Sequence, residues 1–272
     1  LFEENGWQIP QTYEELLELA GKIRGKGLVP VAMDGLDGWP LADYFSNIVY
    51  KLNGDYRELI GNAVKNGDFS DPVFWKAIQL VRDANDAGMF QEGYASQDYG
   101  TAMNLFTSGK AAMFYLGSWE SSMALDENIE EDIRTNIRAF TMPQIAGGKA
   151  GEKEFAMWNG GGYAVSADSK VKEEAIKFLN YMFRPDKLAK YGWENGIGLA
   201  AQDQTAYQSG TETALQLQFL DILGEAEGMS GTPVNDWGTS SYKSCIETNI
   251  QGAAMGTLDI DKFLEMLGKA CR

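Results

Sequence analysis

Four segments of this sequence place a tryptophan beside an acidic or amide residue, and these pairs are the strongest candidates for a binding site. The pairs are Asp37 with Trp39, Trp119 with Glu120, Trp158 with Asn159, and Asp236 with Trp237. An indole ring offers a broad, rigid apolar surface, and a carboxylate beside it accepts strong hydrogen bonds. A carbohydrate ring has the matching chemistry, with an apolar face of C–H groups and a rim of hydroxyls. The pairs therefore predict a site that binds a sugar.

The same residues have a more ordinary interpretation. A single loop tryptophan more often covers a hydrophobic core than binds a ligand. The glycine run that includes Gly160 and Gly161 allows a backbone to approach a ligand, but it equally suits a plain turn. We interpret Trp7, Trp75 and Trp193 as packing residues, because they lack such neighbours or lie on predicted helices. Four pairs favour a site without showing that the pairs converge.

The composition excludes several kinds of chemistry. The 272 residues include no histidine, which removes Ser-His-Asp triads, Cys-His dyads and histidine-bound zinc. The two cysteines, Cys245 and Cys271, are too few for a cysteine-rich metal site. In an exported protein they form one disulfide or remain two unpaired thiols, and both readings stay open. We expect no metal and no cofactor.

The net charge of −16 argues against nucleic acid and anionic membranes as partners, because phosphates are neutralised by excess lysine and arginine. No apolar stretch approaches the roughly 18 residues needed to span a bilayer.

Other functions also fit these residues. Asp37 and Glu120 could serve as the paired carboxylates of a glycoside hydrolase. Acid-lined aromatic residues also suit a cationic or peptide ligand. A purely structural role is a further alternative, against which the four tryptophan pairs argue only mildly.

The elements that position the candidate residues are helices and short strands in alternation, which indicates an α/β fold. Thr12 to Glu15 has the pattern of a capping box at a helix start. Residues 28–33 form a short apolar run typical of a strand, and Pro40 suits the first residue of the next helix. The segment Ser-Asp-Pro at 70–72 predicts another helix start.

Further strands are predicted on either side of a connector. The run at 111–116 leads into Gly117 and Trp119, and residues 137–143 form a second strand that ends in proline. The Gly- and Lys-rich segment 143–154 marks a domain boundary or hinge. A glycine run with a strand follows at 158–166.

Four motifs, in order, resemble the extracellular (family 1) solute-binding proteins of ABC sugar importers, the group that includes maltose-binding protein. The segment "GWQIPQTYEELLELAGKIRGKGLVPVAM" is similar to the helix and strand near the start of the family pattern. The segment "AMNLFTSGKAAMFYLGSWE" resembles the most recognisable family signature. The later segments "GGGYAVSADSKVKEEAIKFLNYM" and "VNDWGTSSYKSCIETNIQGAAMG" resemble a Gly-rich strand with its helix and the closing helices.

The resemblance implies a periplasmic-binding-protein-like (type II) two-lobed α/β fold that closes like a hinge on its ligand. In that pattern Trp119 and Trp237 stack on sugar rings from the C-terminal lobe, and Trp39 with Asp37 lines the same side. Trp158, Gly160 and Gly161 lie at the edge near the hinge. Glu120 either contacts the rim of the sugar or begins the next helix.

The resemblance also implies a domain order. Residues 1–143 form the first part of the C-terminal lobe, 144–157 the connector, 158–225 part of the N-terminal lobe, and 226–272 the closing helices of the C-terminal lobe. The expected partners are a carbohydrate and the membrane permease of an ABC transporter, and no bond is broken. The expected location is extracellular, either periplasmic or as a cell-surface lipoprotein.

The sequence departs from the family pattern in one respect. The family opens with a βαβ region before the "PQTYEEL" helix, and this sequence lacks it. We therefore expect a truncated chain or proteolytic fragment that binds sugar weakly, if at all. We also expect it to expose apolar surface on the partial N-terminal lobe, which favours self-association or disorder.

Overall fold

The structure is a computed structural model that describes residues 1–157, 162–198 and 202–272. Its helices, in chain order, are α1 (Phe2–Asn5), α2 (Tyr13–Arg24), α3 (Trp39–Asn53), α4 (Arg57–Asn66), α5 (Pro72–Asp86), α6 (Tyr99–Thr107), α7 (Glu131–Arg134), α8 (Lys172–Met182), α9 (Leu188–Glu194), α10 (Ala214–Gly224), α11 (Ser240–Ala254) and α12 (Ile260–Ala270). The strands are β1 (Val29–Ala32), β2 (Ala111–Phe114), β3 (Glu154–Phe155) and β4 (Gly228–Met229).

The chain divides into two compact units. The first comprises Leu1–Leu116, Phe140–Trp158 and Ala226–Arg272, and the second comprises Gly117–Ala139 and Asn159–Glu225. The sequence interpretation placed residues 117–139 with the first part of the chain and treated 144–157 as a separate connector. In the structure the former segment clusters with the second unit and the latter with the first. The assignment of these units to family lobes stays a prediction.

Local signals in the sequence explain where the first-unit helices begin. The Thr12 hydroxyl accepts a hydrogen bond from the backbone N–H of Glu15 at 3.2 Å, and the Glu15 carboxylate accepts one from the backbone N–H of Thr12 at 3.3 Å. This is the predicted capping box at the start of α2. At α5, Asp71 accepts a hydrogen bond from the backbone N–H of Val73 at 2.9 Å, with Pro72 as the first helical residue.

The core of the first unit surrounds α3, which packs against α5 and α11. Leu41, Phe45 and Ile48 of α3 are fully buried. Strands β1 and β2 pair in parallel, with Val31 opposite Met113, and β3 and β4 form a second parallel pair. The predicted strands at 28–33 and 111–116 are therefore confirmed, with shorter bounds.

Two predicted strands of the connector region differ from the structure. Residues 137–143 lie in no strand, so that prediction is wrong. The backbone N–H of Ala139 there donates to the Gln218 side chain at 2.7 Å rather than to a neighbouring strand. Residues 158–161 of the other predicted strand lie outside the described residues, and 162–166 belong to no strand.

In the second unit, α8 buries none of its residues. Its exposed apolar side chains include Phe178 at 63% and Tyr181 at 53% exposed. Tyr163 and Phe183 are also exposed and form an edge-to-face contact with ring centroids 5.7 Å apart. The predicted exposure of apolar surface in this part of the chain is confirmed.

Candidate functional site

Three of the predicted residues lie in the first unit around the start of α3. Asp37 is exposed, and its backbone N–H donates to the Asp34 carboxylate at 3.0 Å. Trp39 begins α3, is half-buried, and stacks on Tyr99 with ring centroids 5.8 Å apart and planes 26° apart. The indole of Trp39 is thus held by a second aromatic ring at the first turn of the helix.

A close approach of two helices fixes this turn. Gly38, the residue before α3, adopts a φ of 75°. A β carbon at this position would lie 2.0 Å from the backbone oxygen of Glu247 on α11. Glycine is therefore required here both by its left-handed conformation and by contact with α11. The contact brings the start of α3 against the middle of α11.

The predicted pair Asp236 and Trp237 lies in the loop before α11. The Asp236 carboxylate accepts a hydrogen bond from the Lys243 ammonium at 2.6 Å. The Trp237 indole N–H donates to the backbone oxygen of Thr232 at 3.2 Å, and the ring is half-buried against the core. Tyr56 donates its hydroxyl to the same oxygen at 2.7 Å, so Trp237 and Tyr56 are joined through one carbonyl.

Five polar residues from α3, α11 and the loop before α11 form what we call the acidic cluster. Its members are Asp43, Asn235, Asp236, Lys243 and Glu247. The Lys243 ammonium lies 3.7 Å from the Glu247 carboxylate, and the Asn235 amide N–H donates to Glu247 at 2.9 Å. Asp43 follows Trp39 by one helical turn, so both side chains lie on one face of α3.

Burial and, to a smaller extent, neighbouring negative charge set the protonation of Asp43. Burial raises the pKa of Asp43 to about 7, and the carboxylates of Asp236 and Glu247 add to that rise while Lys243 opposes it. Three carboxyl groups therefore share one ammonium. A cation arriving at this cluster would favour the ionised form of Asp43.

Asp43 also acts electrostatically on two tyrosines, Tyr56 and Tyr115. Tyr115 accepts a hydrogen bond from the Asn47 amide at 2.6 Å, and Asn47 in turn accepts one from the backbone N–H of Ala156 at 3.1 Å. Burial raises the pKa values of Tyr115 and Tyr56, and the charge of Asp43 contributes to both shifts. Both hydroxyls therefore stay protonated over the range in which Asp43 titrates.

Trp119 and Glu120 lie in the second unit, in the 3-10 helix Ser118–Leu125. Both are half-buried, and Glu120 occupies the first turn, as expected of a residue that begins a helix. Ser118 donates its hydroxyl to the backbone oxygen of Gly198 at 3.0 Å. The Ser121 hydroxyl accepts a hydrogen bond from the backbone N–H of Gly198, also at 3.0 Å. These bonds hold the turn that carries the indole.

Trp158, Asn159, Gly160 and Gly161 lie outside the described residues. Their roles in the site stay predictions. Two residues that the sequence suggested as packing residues can be compared directly: Trp193 is 3% exposed and buried, as predicted, whereas Trp75 is 43% exposed. The packing interpretation of Trp75 is wrong because its position on α5 faces away from the core stripe of that helix.

The sequence interpretation missed Asp43, Asn235, Lys243 and Glu247. The spacing of Asp43 four residues after Trp39 was the available signal. The four-residue spacing of Lys243 and Glu247 would have indicated an ion pair on α11. Nothing local in the sequence connects α3 with α11.

Three further features concern metal binding, the two cysteines and membrane-spanning helices. Across the described ranges, no group of three or more His, Cys, Asp or Glu side chains could hold a metal ion. Cys245 and Cys271 are both free and half-buried, and burial raises the pKa of each thiol. In the part of the chain that the structure describes, no helix is both long and apolar enough to cross a membrane.

Comparisons with known proteins place these observations in a family. The chain is 26% identical over 266 residues to the multiple sugar-binding protein of Streptococcus mutans, which covers 94% of this chain and 60% of that protein. It is 27% identical over 134 residues to an uncharacterized ABC transporter extracellular-binding protein of Pyrococcus horikoshii, which covers 47% of this chain and 30% of that protein. The chain thus spans less than two thirds of the length of each of these relatives.

A solved structure shares the fold. A chitin oligosaccharide binding protein superimposes with a TM-score of 0.81 at 24% sequence identity, covering 99% of this chain and 66% of that one. This likeness confirms the expected α/β fold of the periplasmic-binding-protein type. The family model for bacterial extracellular solute-binding proteins matches residues 1–189. Because that match takes in more than half of the sequence, the chain belongs to the bacterial extracellular solute-binding protein family.

Proposed function

We propose that this chain binds a sugar or oligosaccharide outside the cell and delivers it to the membrane permease of an ABC transporter. The match of residues 1–189 to the extracellular solute-binding family carries the proposal. The relatives support a carbohydrate ligand, since one is named a multiple sugar-binding protein and another a chitin oligosaccharide binding protein.

The first unit supplies side chains suited to that ligand. Trp39, held against Tyr99, offers an apolar ring, and Trp237 offers a second one. Asp37 is exposed beside Trp39, and Asp236 adjoins Trp237. We propose that Trp119, Glu120, Trp158, Asn159, Gly160 and Gly161 complete the ligand contacts, as the family resemblance implies.

We also propose that the chain has no catalytic activity, in contrast to the hydrolase alternative. The family is one of extracellular solute-binding proteins, and a sequence with no histidine lacks the one side chain whose ordinary pKa lies near neutrality. Turnover of chromogenic glycosides by the purified chain would contradict this statement.

Titration of intrinsic tryptophan fluorescence with mono- and oligosaccharides tests the proposal. Binding should produce a saturable change that Trp39→Leu and Trp237→Leu each reduce. Trp75→Phe is the matched control because Trp75 is exposed and lies on α5 outside the site. Loss of the signal only in Trp75→Phe would contradict the assignment.

A further inference from the structure

We propose that Ser46 and Tyr242 are positioning residues of the sugar site, which together fix the loop that carries Asp236 and Trp237. The inference rests on the proposed sugar-binding function and adds to it the means by which one of the proposed tryptophans is held in place. Neither positioning residue needs to touch the sugar. Each acts on the backbone of Val234, which precedes Trp237 by three residues.

The first contact to Val234 comes from α3. Ser46 is 1% exposed, and its hydroxyl donates to the backbone oxygen of Ala42 at 2.7 Å. The same hydroxyl accepts a hydrogen bond from the backbone N–H of Val234 at 2.9 Å. Val234 is fully buried, and a buried N–H without an acceptor is costly. The Ser46 hydroxyl therefore holds Val234 against α3.

The second contact comes from α11. Tyr242 is fully buried, and its hydroxyl donates to the backbone oxygen of Val234 at 3.1 Å. Its ring stacks on Phe69, with ring centroids 5.7 Å apart and planes 17° apart. Burial raises the pKa of Tyr242 well above its ordinary value, so the hydroxyl remains a donor. Val234 is thus held through its N–H by one helix and through its oxygen by another.

Hydrogen bonds within the loop connect Val234 to Trp237. The backbone N–H of Trp237 donates to the same Val234 oxygen at 3.4 Å, and one carbonyl can accept both bonds because it has two lone pairs. The indole N–H of Trp237 donates to the backbone oxygen of Thr232 at 3.2 Å. Since Val234 lies between Thr232 and Trp237, a shift of its backbone would displace the indole.

The same helix carries the other tryptophan of the first unit. Trp39 begins α3, and Ser46 follows it by seven residues. Seven residues are close to two full turns, so the two side chains project from one face of α3 about 10 Å apart along the axis. Helix α3 therefore sets the position of Trp39 directly and that of Trp237 through Ser46. A loop held in its binding conformation loses less entropy when ligand binds, so loosening Val234 should weaken sugar binding.

A matched pair of tyrosine substitutions tests the inference. Tyr242→Phe removes the hydroxyl that bonds Val234, and Tyr13→Phe is the control. Tyr13 is 1% exposed, donates its hydroxyl to the backbone oxygen of Leu80 at 2.8 Å and accepts a bond from Tyr44 at 3.0 Å. Its substitution therefore costs the fold at least as many buried hydrogen bonds.

Calorimetric titration with chitotriose, raffinose, maltotriose and xylotriose supplies the readout, with the folded fraction of each variant fixed by its denaturation curve. For a sugar that the parent chain binds, we expect Tyr242→Phe to bind about fivefold more weakly, which corresponds to about 1 kcal/mol. Tyr13→Phe should stay within about twofold of the parent. Ser46→Ala, which removes the acceptor of the Val234 N–H, should weaken binding as Tyr242→Phe does.

The Trp237→Leu background separates positioning from general destabilisation. In that background Tyr242→Phe should change the affinity by less than about twofold, because the side chain that it positions is absent. Equal weakening in both backgrounds, or equal binding by Tyr242→Phe and Tyr13→Phe, would overturn the inference and leave sugar binding intact. A folded parent chain that binds none of these sugars, nor any of a wider panel, would overturn the proposed function and this inference with it.

Discussion

The ammonium group of Lys51 donates a hydrogen bond of 2.6 Å to the backbone oxygen of Glu154, across the interior of the first unit. Lys51 is fully buried on α3 and also donates to the backbone oxygens of Gly151 at 3.0 Å and Glu152 at 3.3 Å. One buried cation thus satisfies three carbonyls of the segment that leads into β3. The Lys51 ammonium therefore links this segment to α3, beside the buried side chain of Phe155.

Replacing Lys51 with methionine should therefore destabilise the first unit. The substitution preserves most of the side-chain volume but removes the donor from three partly buried carbonyls, at a cost of about 2–4 kcal/mol. Urea denaturation followed by tryptophan fluorescence measures the change. Lys26→Met is the matched control, since Lys26 is exposed, and its free energy of unfolding should change by less than about 0.5 kcal/mol. Equal effects of the two substitutions would contradict the role given to Lys51.

A second prediction concerns the dependence of folding stability on pH. The folded pKa of Asp43, about 7, exceeds the ordinary value of 3.8. The stability gained from protonating this carboxyl is therefore complete below about pH 4 and is lost as the pH rises through about 7.

The substitution Asp43→Asn should remove this loss of stability at rising pH. Measured against the parent chain, the variant should become more stable as the pH rises from about 4 to about 8, by up to about 4 kcal/mol at 1.36 kcal/mol per pKa unit. Denaturation curves of both proteins across this range provide the comparison. If the free energies of unfolding of the two proteins changed with pH in the same way, Asp43 would not titrate as described.

A third prediction concerns the turn that carries Trp119. A β carbon at Gly117 would lie 2.1 Å from the Trp119 ring, so the indole folds directly over this glycine. Gly117→Ala should displace the ring, shift its fluorescence and weaken sugar binding, because the clash leaves no room for a methyl group.

Gly21→Ala provides the matched control. Gly21 lies inside α2, and a β carbon there has no neighbour within 4 Å. Alanine at this position should stabilise the chain by about 0.5–1 kcal/mol, because glycine lowers helix stability. Identical fluorescence for Gly117→Ala and the parent would be incompatible with the described turn.

The exposed apolar face of α8 supports a prediction about association. Phe178 and Tyr181 are large, apolar and exposed on a helix that buries nothing, so the chain should self-associate as its concentration rises. The double substitution Phe178→Glu and Tyr181→Glu should lower the average mass toward that of a monomer in sedimentation experiments. Glu174→Gln, on the same helix, should leave the association unchanged. A parent chain that stays monomeric at every concentration would refute the prediction.

Local signals explain what the sequence could predict of the fold. The capping box of Thr12 and Glu15 and the proline after Asp71 act within one turn of helix, so the sequence alone locates these helix starts. A strand depends on a partner elsewhere in the chain. The apolar run at 137–143 lacked one, and Gln218 satisfies its Ala139 N–H instead.

Local signals also explain which residues of the candidate site could be predicted from the sequence. Trp39, Asp37, Asp236 and Trp237 were recognisable because each tryptophan adjoins an acid in sequence. Asp43 was not, because it lies among apolar residues of α3 and gains its importance only from α11. Gly38 lies against the backbone of Glu247 on α11, and no local pattern reveals this contact between the start of α3 and α11.

Titration of the tryptophan fluorescence of this chain with a panel of oligosaccharides tests the central claim most directly. We predict a saturable change with at least one sugar, reduced by Trp39→Leu and Trp237→Leu and preserved in Trp75→Phe. A flat titration with every sugar, from a chain shown to be folded by its cooperative unfolding, would contradict the proposal that this protein binds carbohydrate.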